Sequence, residues 1–271
     1  MIPSPDSPDP ADAATLAVLL SPERLGKLTN LTGSTERAIE LHQETLQVGA
    51  SLMAVTATIE IALRNSVCEN LGHFFAVPNW LQQPPVAFQW KASELGKISQ
   101  AIDSAERDEY SKLSQAGKGA LDAQAYPRGR PPNTSHLKRA KDRRKHISVT
   151  EGKVIAELTL YFWKRLYGPD YDQTLWRTTL KRTFPDKKLT RAAVATQLEY
   201  IYQARNRLAH HEPVLHGRFD ETIAAVNFVA QQLGERRSNP QSPLANLLAT
   251  DIAAARAKAD ALHARLDAFR I

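Results

Sequence analysis

The sequence predicts an all-α protein. Apolar residues recur at three- and four-residue steps along most of the chain, and no segment shows the strict alternation of a half-buried strand. The interruptions fall at Pro and Gly positions that start or stop helices. With 271 residues, 42% of them hydrophobic, the chain suits one large domain or a domain with an appendage, and it can bury a sizeable core.

Taken in order, Met1 to Pro10 carries four prolines and no basic residue, so it reads as a disordered lead-in without a signal peptide. Ala11 to Leu20 forms a first short helix, and Ser21-Pro22 opens a second with Pro at a first helical position. Ser34 to about Leu71 is a long helix whose inward positions are Ile39, Leu46, Leu52, Val55, Ile59, Leu63 and Val67, with Gly72 as its stop. Pro78 to Pro85 is a loop around Trp80. Helix resumes near Phe88 and runs toward Leu113. Ser148-x-x-Glu151 matches a capping box ahead of a helix from Val154 to Leu166. Trp176 and Phe184 are core anchors of a short piece closed by Pro185. Leu189 to His210 is the next long helix, ended by Pro213, and Asp220 to Leu233 follows. From Pro243 to Ile271, residues Leu244, Leu248, Ile252, Ala255, Ala259, Leu262, Leu266 and Phe269 nearly keep a heptad seam. By default such a helix docks on its own domain, and a second subunit is the alternative.

Gln115 to His146 stands apart, with three glycines, three prolines and no amphipathic period at its start, and reads as an inserted loop. Between Arg128 and Lys145, the bases Arg128, Arg130, Lys138, Arg139, Lys141, Arg143, Arg144 and Lys145 face the single acid Asp142. That local excess exceeds the formal charge of +6 on the whole chain. A concentrated cationic segment suits a polyanion such as RNA, and a solvated basic loop is the plainer alternative. Cys68 is the only cysteine, which rules out an intramolecular disulfide and fits a reducing, cytoplasmic compartment. No apolar run approaches the length of a membrane helix, so no membrane partner is expected.

The chemistry concentrates between Ala204 and Pro213. Asn206 and His210 are four residues apart and share a helix face, and Arg205 lies round the axis from them. An imidazole can take the 2′-hydroxyl proton of RNA or protonate the leaving 5′-oxygen. A guanidinium can neutralise the charge that builds on phosphate oxygens, and an amide can orient the imidazole. No metal or other cofactor is required. The reaction needs an acid and a base, whereas the motif holds one such histidine, so a two-fold dimer that pairs two copies is expected. The plain alternative is that Arg, Asn and His merely cap the helix. His211-Glu212 suggests H-E-x-x-H, but Leu215 occupies the fifth position and Pro213 breaks the helix, which excludes the zinc-protease reading. His211 is instead a supporting partner of the site or a phosphate contact, and Glu212 supports it by holding one of the imidazoles. Glu60 and Arg64 form a favourable i,i+4 pair. Beyond that salt bridge, Glu60 could orient a motif residue from a neighbouring helix.

Four segments occur in order: Leu19-Leu20-Ser21-Pro22-Glu23-Arg24-Leu25, Ile59-Glu60-Ile61-Ala62-Leu63-Arg64-Asn65, Phe162-Trp163 with Leu175-Trp176, and Arg205-Asn206-Arg207-Leu208-Ala209-His210-His211-Glu212-Pro213. Together they resemble the Abi-like proteins of bacteria, the abortive-infection group of the HEPN superfamily, over Leu19 to Leu233. The resemblance implies a HEPN-type helical bundle spanning 19–235. Around it lie a lead-in with a short helix at 1–18, a basic insertion at about 115–147 and an amphipathic helix at 236–271. It further implies a homodimeric, metal-independent ribonuclease in phage defence or a toxin–antitoxin pair, with RNA as substrate and an antitoxin or regulator as partner. Arg205 and His210 are then catalytic, with Asn206 assisting. Inactive members of the superfamily only bind or regulate, so an RNA-binding or regulatory module is the alternative.

Overall fold

A computed structural model describes residues 9–234 and 242–269, and among these no strand occurs. The expected lead-in therefore falls, in its first eight residues, outside the described part. The helices are α1 (Pro10–Leu20), α2 (Pro22–Thr32), α3 (Thr35–Phe75), α4 (Ala92–Lys112), α5 (Gln115–Ala125) and α6 (His136–Arg144). They continue with α7 (Glu151–Glu157), α8 (Leu160–Arg165), α9 (Arg191–Ala209), α10 (Gly217–Gln232) and α11 (Pro243–Ala268). The chain divides into two compact units, one of residues 1–63 with 184–271 and the other of residues 64–183.

The first unit owes its core to α3, α9, α10 and α11. Leu41, Val48 and Leu52 meet Ala204 and Leu208, Phe219 and Ile223, and from α11 Ala255, Ala259, Leu262 and Leu266. The heptad-like stripe of the last helix is thus consumed in cis, as part of the same core. Each Leu buried in this way contributes roughly 1.5–3 kcal/mol. Polar contacts fix the register of α11: Arg265 pairs with Glu44 and, at 3.0 Å, with Glu40, while Lys258 Nζ donates to Ser51 Oγ at 2.9 Å. A smaller cluster of Ala13, Leu25 and Ile39 ties α1 and α2 to α3. Ser21 caps α2 as expected, its hydroxyl accepting from Arg24 N–H at 3.3 Å. Gly33, at φ 65°, ends α2 in the left-handed conformation that glycine tolerates best.

Two expectations for α3 need correction. Leu46 is exposed and Leu41 and Val48 join the inward stripe in its place, while Ile39, Leu52, Val55, Ile59, Leu63 and Val67 are buried as expected. The helix also passes through Gly72, ending only where Ala76 turns left-handed at φ 51°. By length and composition α3 could cross a membrane, with an 18-residue window of mean hydropathy 1.6, a third of which is buried within the fold. The expectation that no apolar run approaches this length is therefore overturned.

The second unit is aromatic. Trp90 lies against Phe88 with ring centroids 4.8 Å apart at 85°, and also against Phe75, Phe162 and Tyr171. Its indole N–H donates to Leu81 O at 3.0 Å. Glu94 is 1% exposed, and a carboxylate there must be paired. Arg165 Nε lies 3.1 Å from Oε1, and Tyr171 donates its hydroxyl to Oε2 at 2.8 Å. Cys68 sits half-buried, and burial pushes its thiol up to about 12, as suits a small packing residue.

The capping box at Ser148 is not formed. Thr150 is the N-cap residue of α7, and Glu151 accepts from Leu81 N–H at 2.9 Å, so a long-range partner displaces the local one. Nor is Val154 to Leu166 one helix, because extended Leu158 and Thr159 separate α7 from α8. Trp176 is buried as expected, on a run of 3₁₀ and π turns between Pro169 and Thr183, and Phe184, the next residue in sequence, is buried too.

The basic insertion is largely helical rather than a loop. Ser114 and Ser135 cap α5 and α6 with their hydroxyls, local signals that the glycines and prolines outweighed in the sequence. Asp122 of α5 then receives both Arg143 (2.7 Å) and Arg139 of α6. Those bonds, Arg143 first, hold the Asp122 carboxyl far below the usual carboxylate range. Arg144 reaches Asp103 at 3.3 Å and Lys145 lies 3.6 Å from Asp142. Half of the eight expected RNA-binding cations are therefore committed to carboxylates, and Arg143 is buried. Arg128, Arg130, Lys138 and Lys141 are exposed.

Candidate functional site

Thr190 starts α9, its hydroxyl accepting from Ala193 N–H at 3.1 Å. Val194, Leu198, Ile201, Ala204 and Leu208 form the buried stripe. With Ala204 and Leu208 turned inward, the residues between and beyond them must turn outward. Arg205, Asn206 and Arg207 are half-buried, and His210 is exposed. Burial of the stripe thus fixes which way the motif faces.

The end of the helix is a Schellman turn. His210 is the C-cap residue, His211 N–H donates to Leu208 O at 3.0 Å, and Glu212 N–H donates to Arg207 O at 2.8 Å. The turn puts His211 at φ 56°, the left-handed position where glycine is usual and a β-carbon costs about 1–2 kcal/mol. Arg24 of α2 donates from Nη1 to the His211 carbonyl at 3.2 Å, tying the turn to the N-terminal helices.

Glu60 of α3 takes its charge partner from α9: Arg205 Nε lies 3.6 Å from Glu60 Oε2. Among the described residues Glu60 thus pairs across helices with Arg205 rather than within α3 with Arg64. Arg64 belongs to the second unit, where its Nε is buried without a hydrogen-bond partner. Glu212 pairs with Arg207 at 3.0 Å, so its partner is a guanidinium and not an imidazole. Among the described residues no side-chain hydrogen bond holds Asn206 or His210. Both remain free to meet a ligand.

A cleft of about 310 Å³ lined in part by Asn206 opens between α9 and α10. Ala204 and Val214 supply apolar surface, and Tyr200, Asn206, Arg207, Arg218 and Glu221 surround it. His42, 7% exposed on α3, is a further histidine of this unit. Burial, and then the charge of Arg24, push its pKa down.

Sequence reasoning gives no role to Arg24, His42, Arg207 or Arg218. The segment containing Arg24 stands out only through its family resemblance, and a carbonyl acceptor 187 residues away leaves no local trace. His42 has no neighbouring pattern that marks it. No protein-family model, curated protein or solved structure matches the chain.

Proposed function

We propose that this protein is an endoribonuclease that cleaves RNA at a site made of Arg205, Asn206 and His210, completed across a two-fold homodimer. The observation that carries the reading is the end of α9. An exposed imidazole follows, within five residues, a guanidinium that Glu60 steadies at 3.6 Å and an amide with no internal hydrogen bond. In the proposed step the 2′-oxygen attacks the adjacent phosphorus as one imidazole takes its proton. The P–O5′ bond breaks, and the imidazole of the second subunit protonates the leaving oxygen. A 2′,3′-cyclic phosphate and a 5′-hydroxyl result. Arg205 stabilises the charge on the non-bridging oxygens, and Asn206 orients substrate or imidazole. The chemistry calls for no cofactor.

The setting that fits such an activity is a cytoplasmic effector of phage defence or the toxin of a toxin–antitoxin pair, held in check by an antitoxin or regulator. Exposed Arg128, Arg130, Lys138 and Lys141 are the cations available to guide a single strand. A second reading, a non-catalytic RNA-binding or regulatory module, draws on the internal pairing of Arg205 with Glu60 and of Arg207 with Glu212. Replacing His210 by Ala separates the two. Cleavage should vanish while the helical circular-dichroism spectrum and RNA binding persist. Cleavage at the wild-type rate would remove His210 from the reaction.

A further inference from the structure

We propose that the cleft between α9 and α10 binds a single nucleotide, phosphate at Arg218 and Arg207 and an amino-bearing base toward Glu221. The ligand class follows from the lining. Its volume of about 310 Å³ sits at the lower end of the ~300–1,000 Å³ range of small-molecule sites, room for one nucleotide and not for a folded element. Ala204 and Val214 are 4% and 3% exposed and give an apolar surface, while Tyr200, 37% exposed, offers an aromatic face on which a base can stack.

Two arginines, Arg207 and Arg218, are among the lining residues. Arg207 is pre-oriented by Glu212 at 3.0 Å and by the Pro213 carbonyl at 3.3 Å. Among the described residues no acid pairs with Arg218, so its charge is available to a phosphate, which a guanidinium meets with two parallel N–H donors. One carboxylate, Glu221, also lines the cleft. Toward a second phosphate it would be repulsive. Toward a base it accepts from an exocyclic amino group, and from guanine it accepts two N–H groups at once. Uracil, which has no amino group, should bind least.

The choice of RNA as the source of that nucleotide rests on the ribonuclease reading, because Asn206 and Arg207 belong both to the cleft and to the motif. The nucleotide held would then neighbour the scissile phosphate. The binding itself can be tested without cleavage. Full-length protein is titrated with GMP, AMP, CMP and UMP at low salt, by calorimetry and by the chemical shifts of the Tyr200 ring, with inorganic phosphate as a separate arm. Saturable binding is expected, strongest for GMP and weakest for UMP, and tighter for any of them than for phosphate. Arg218→Ala should weaken GMP by about tenfold, and Glu221→Gln should flatten the order among bases. Arg218 and Glu221 are exposed, so both variants should keep the wild-type helical spectrum.

Equal affinity in Arg218→Ala, or binding that leaves Tyr200 unmoved, would overturn the site. Phosphate binding as tightly as GMP would reduce it to an anion site and overturn the nucleotide assignment. If GMP binds as described but the protein cleaves no RNA, the subsite stands and the ribonuclease reading falls. If the protein cleaves RNA but binds no nucleotide in the cleft, the ribonuclease reading stands and the subsite falls.

Discussion

At the residue scale, His211 and Glu60 make the most specific demands. His211 holds a left-handed turn that glycine would hold with less strain. His211→Gly should therefore raise stability by about 1 kcal/mol, or roughly 2–4 °C in Tm for a protein of this size. A drop in Tm would mean that the imidazole makes a stabilising contact that outweighs the backbone strain. In the proposed ribonuclease Glu60 acts through Arg205, its ion-pair partner. Glu60→Gln keeps the shape but loosens the guanidinium, so kcat for RNA cleavage should fall several-fold with KM nearly unchanged. A selective rise in KM would assign Glu60 to substrate binding instead. The motif itself is legible in the sequence because Arg, Asn and His each bring recognisable chemistry and Pro213 marks the helix end. Each side chain's partner is not. Glu60 could pair with Arg64 or Arg205, and only the packing of α3 against α9 selects Arg205.

At the element scale, the last helix and the basic hairpin behave differently from their sequence patterns. A heptad-like stripe cannot say whether its partner lies in cis or in trans. In the fold, Leu262 and Leu266 enter the core of the first unit, so truncation before Pro243 should unfold that unit rather than merely remove an appendage. Leu262→Ala alone should cost about 2–5 kcal/mol, measured by urea denaturation. A loss well under 1 kcal/mol would show that α11 is not part of the core. The α9–α10 turn also depends on α11. His216 N–H donates to His263 Nε2 at 2.9 Å, and the two rings stack at 4.1 Å. Burial, and then His216, push the His263 pKa below the ordinary histidine value, while Asp260, Asp220 and Asp267 pull the other way. His42 is shifted in the same direction.

A folded pKa below the unfolded one means that the unfolded chain takes up more protons as the pH falls through about 6.5. The stabilisation is therefore complete above that value and declines below it, until the folded-state pKa is passed. Tm should be lower at pH 5.5 than at pH 7.5. His263→Gln, which keeps an acceptor for His216 N–H, should shrink the difference, and an undiminished difference would assign the effect to other groups. In the basic segment, composition points to a loop because glycines and prolines are frequent there. The Ser114 and Ser135 caps and the Asp122 bridge decide for helix. Asp122→Asn should free Arg139 and Arg143 and speed proteolysis between α5 and α6. Unchanged proteolysis would show that the bridge does not hold the hairpin.

At the scale of the whole molecule, the all-α class is readable from periodicity alone, since helix faces are written in steps of three and four. The division into two units is not. α3 runs as one helix from Thr35 to Phe75, and nothing in its sequence marks the passage from one unit to the other near Leu63. The same length and apolarity that let α3 serve two cores give it a window long enough to span a membrane. The proposed ribonuclease depends at this scale on assembly, because each chain would bring one His210 to a reaction that uses an acid and a base. Purified protein incubated with a single-stranded RNA and its 2′-deoxy counterpart, in excess chelator, reads that chemistry most directly. The RNA should be cut to fragments ending in 2′,3′-cyclic phosphate and the 2′-deoxy strand left whole, with His210→Ala inert toward both. Cleavage of the 2′-deoxy strand, or RNA left intact by the wild-type protein, would contradict a 2′-hydroxyl reaction at this site.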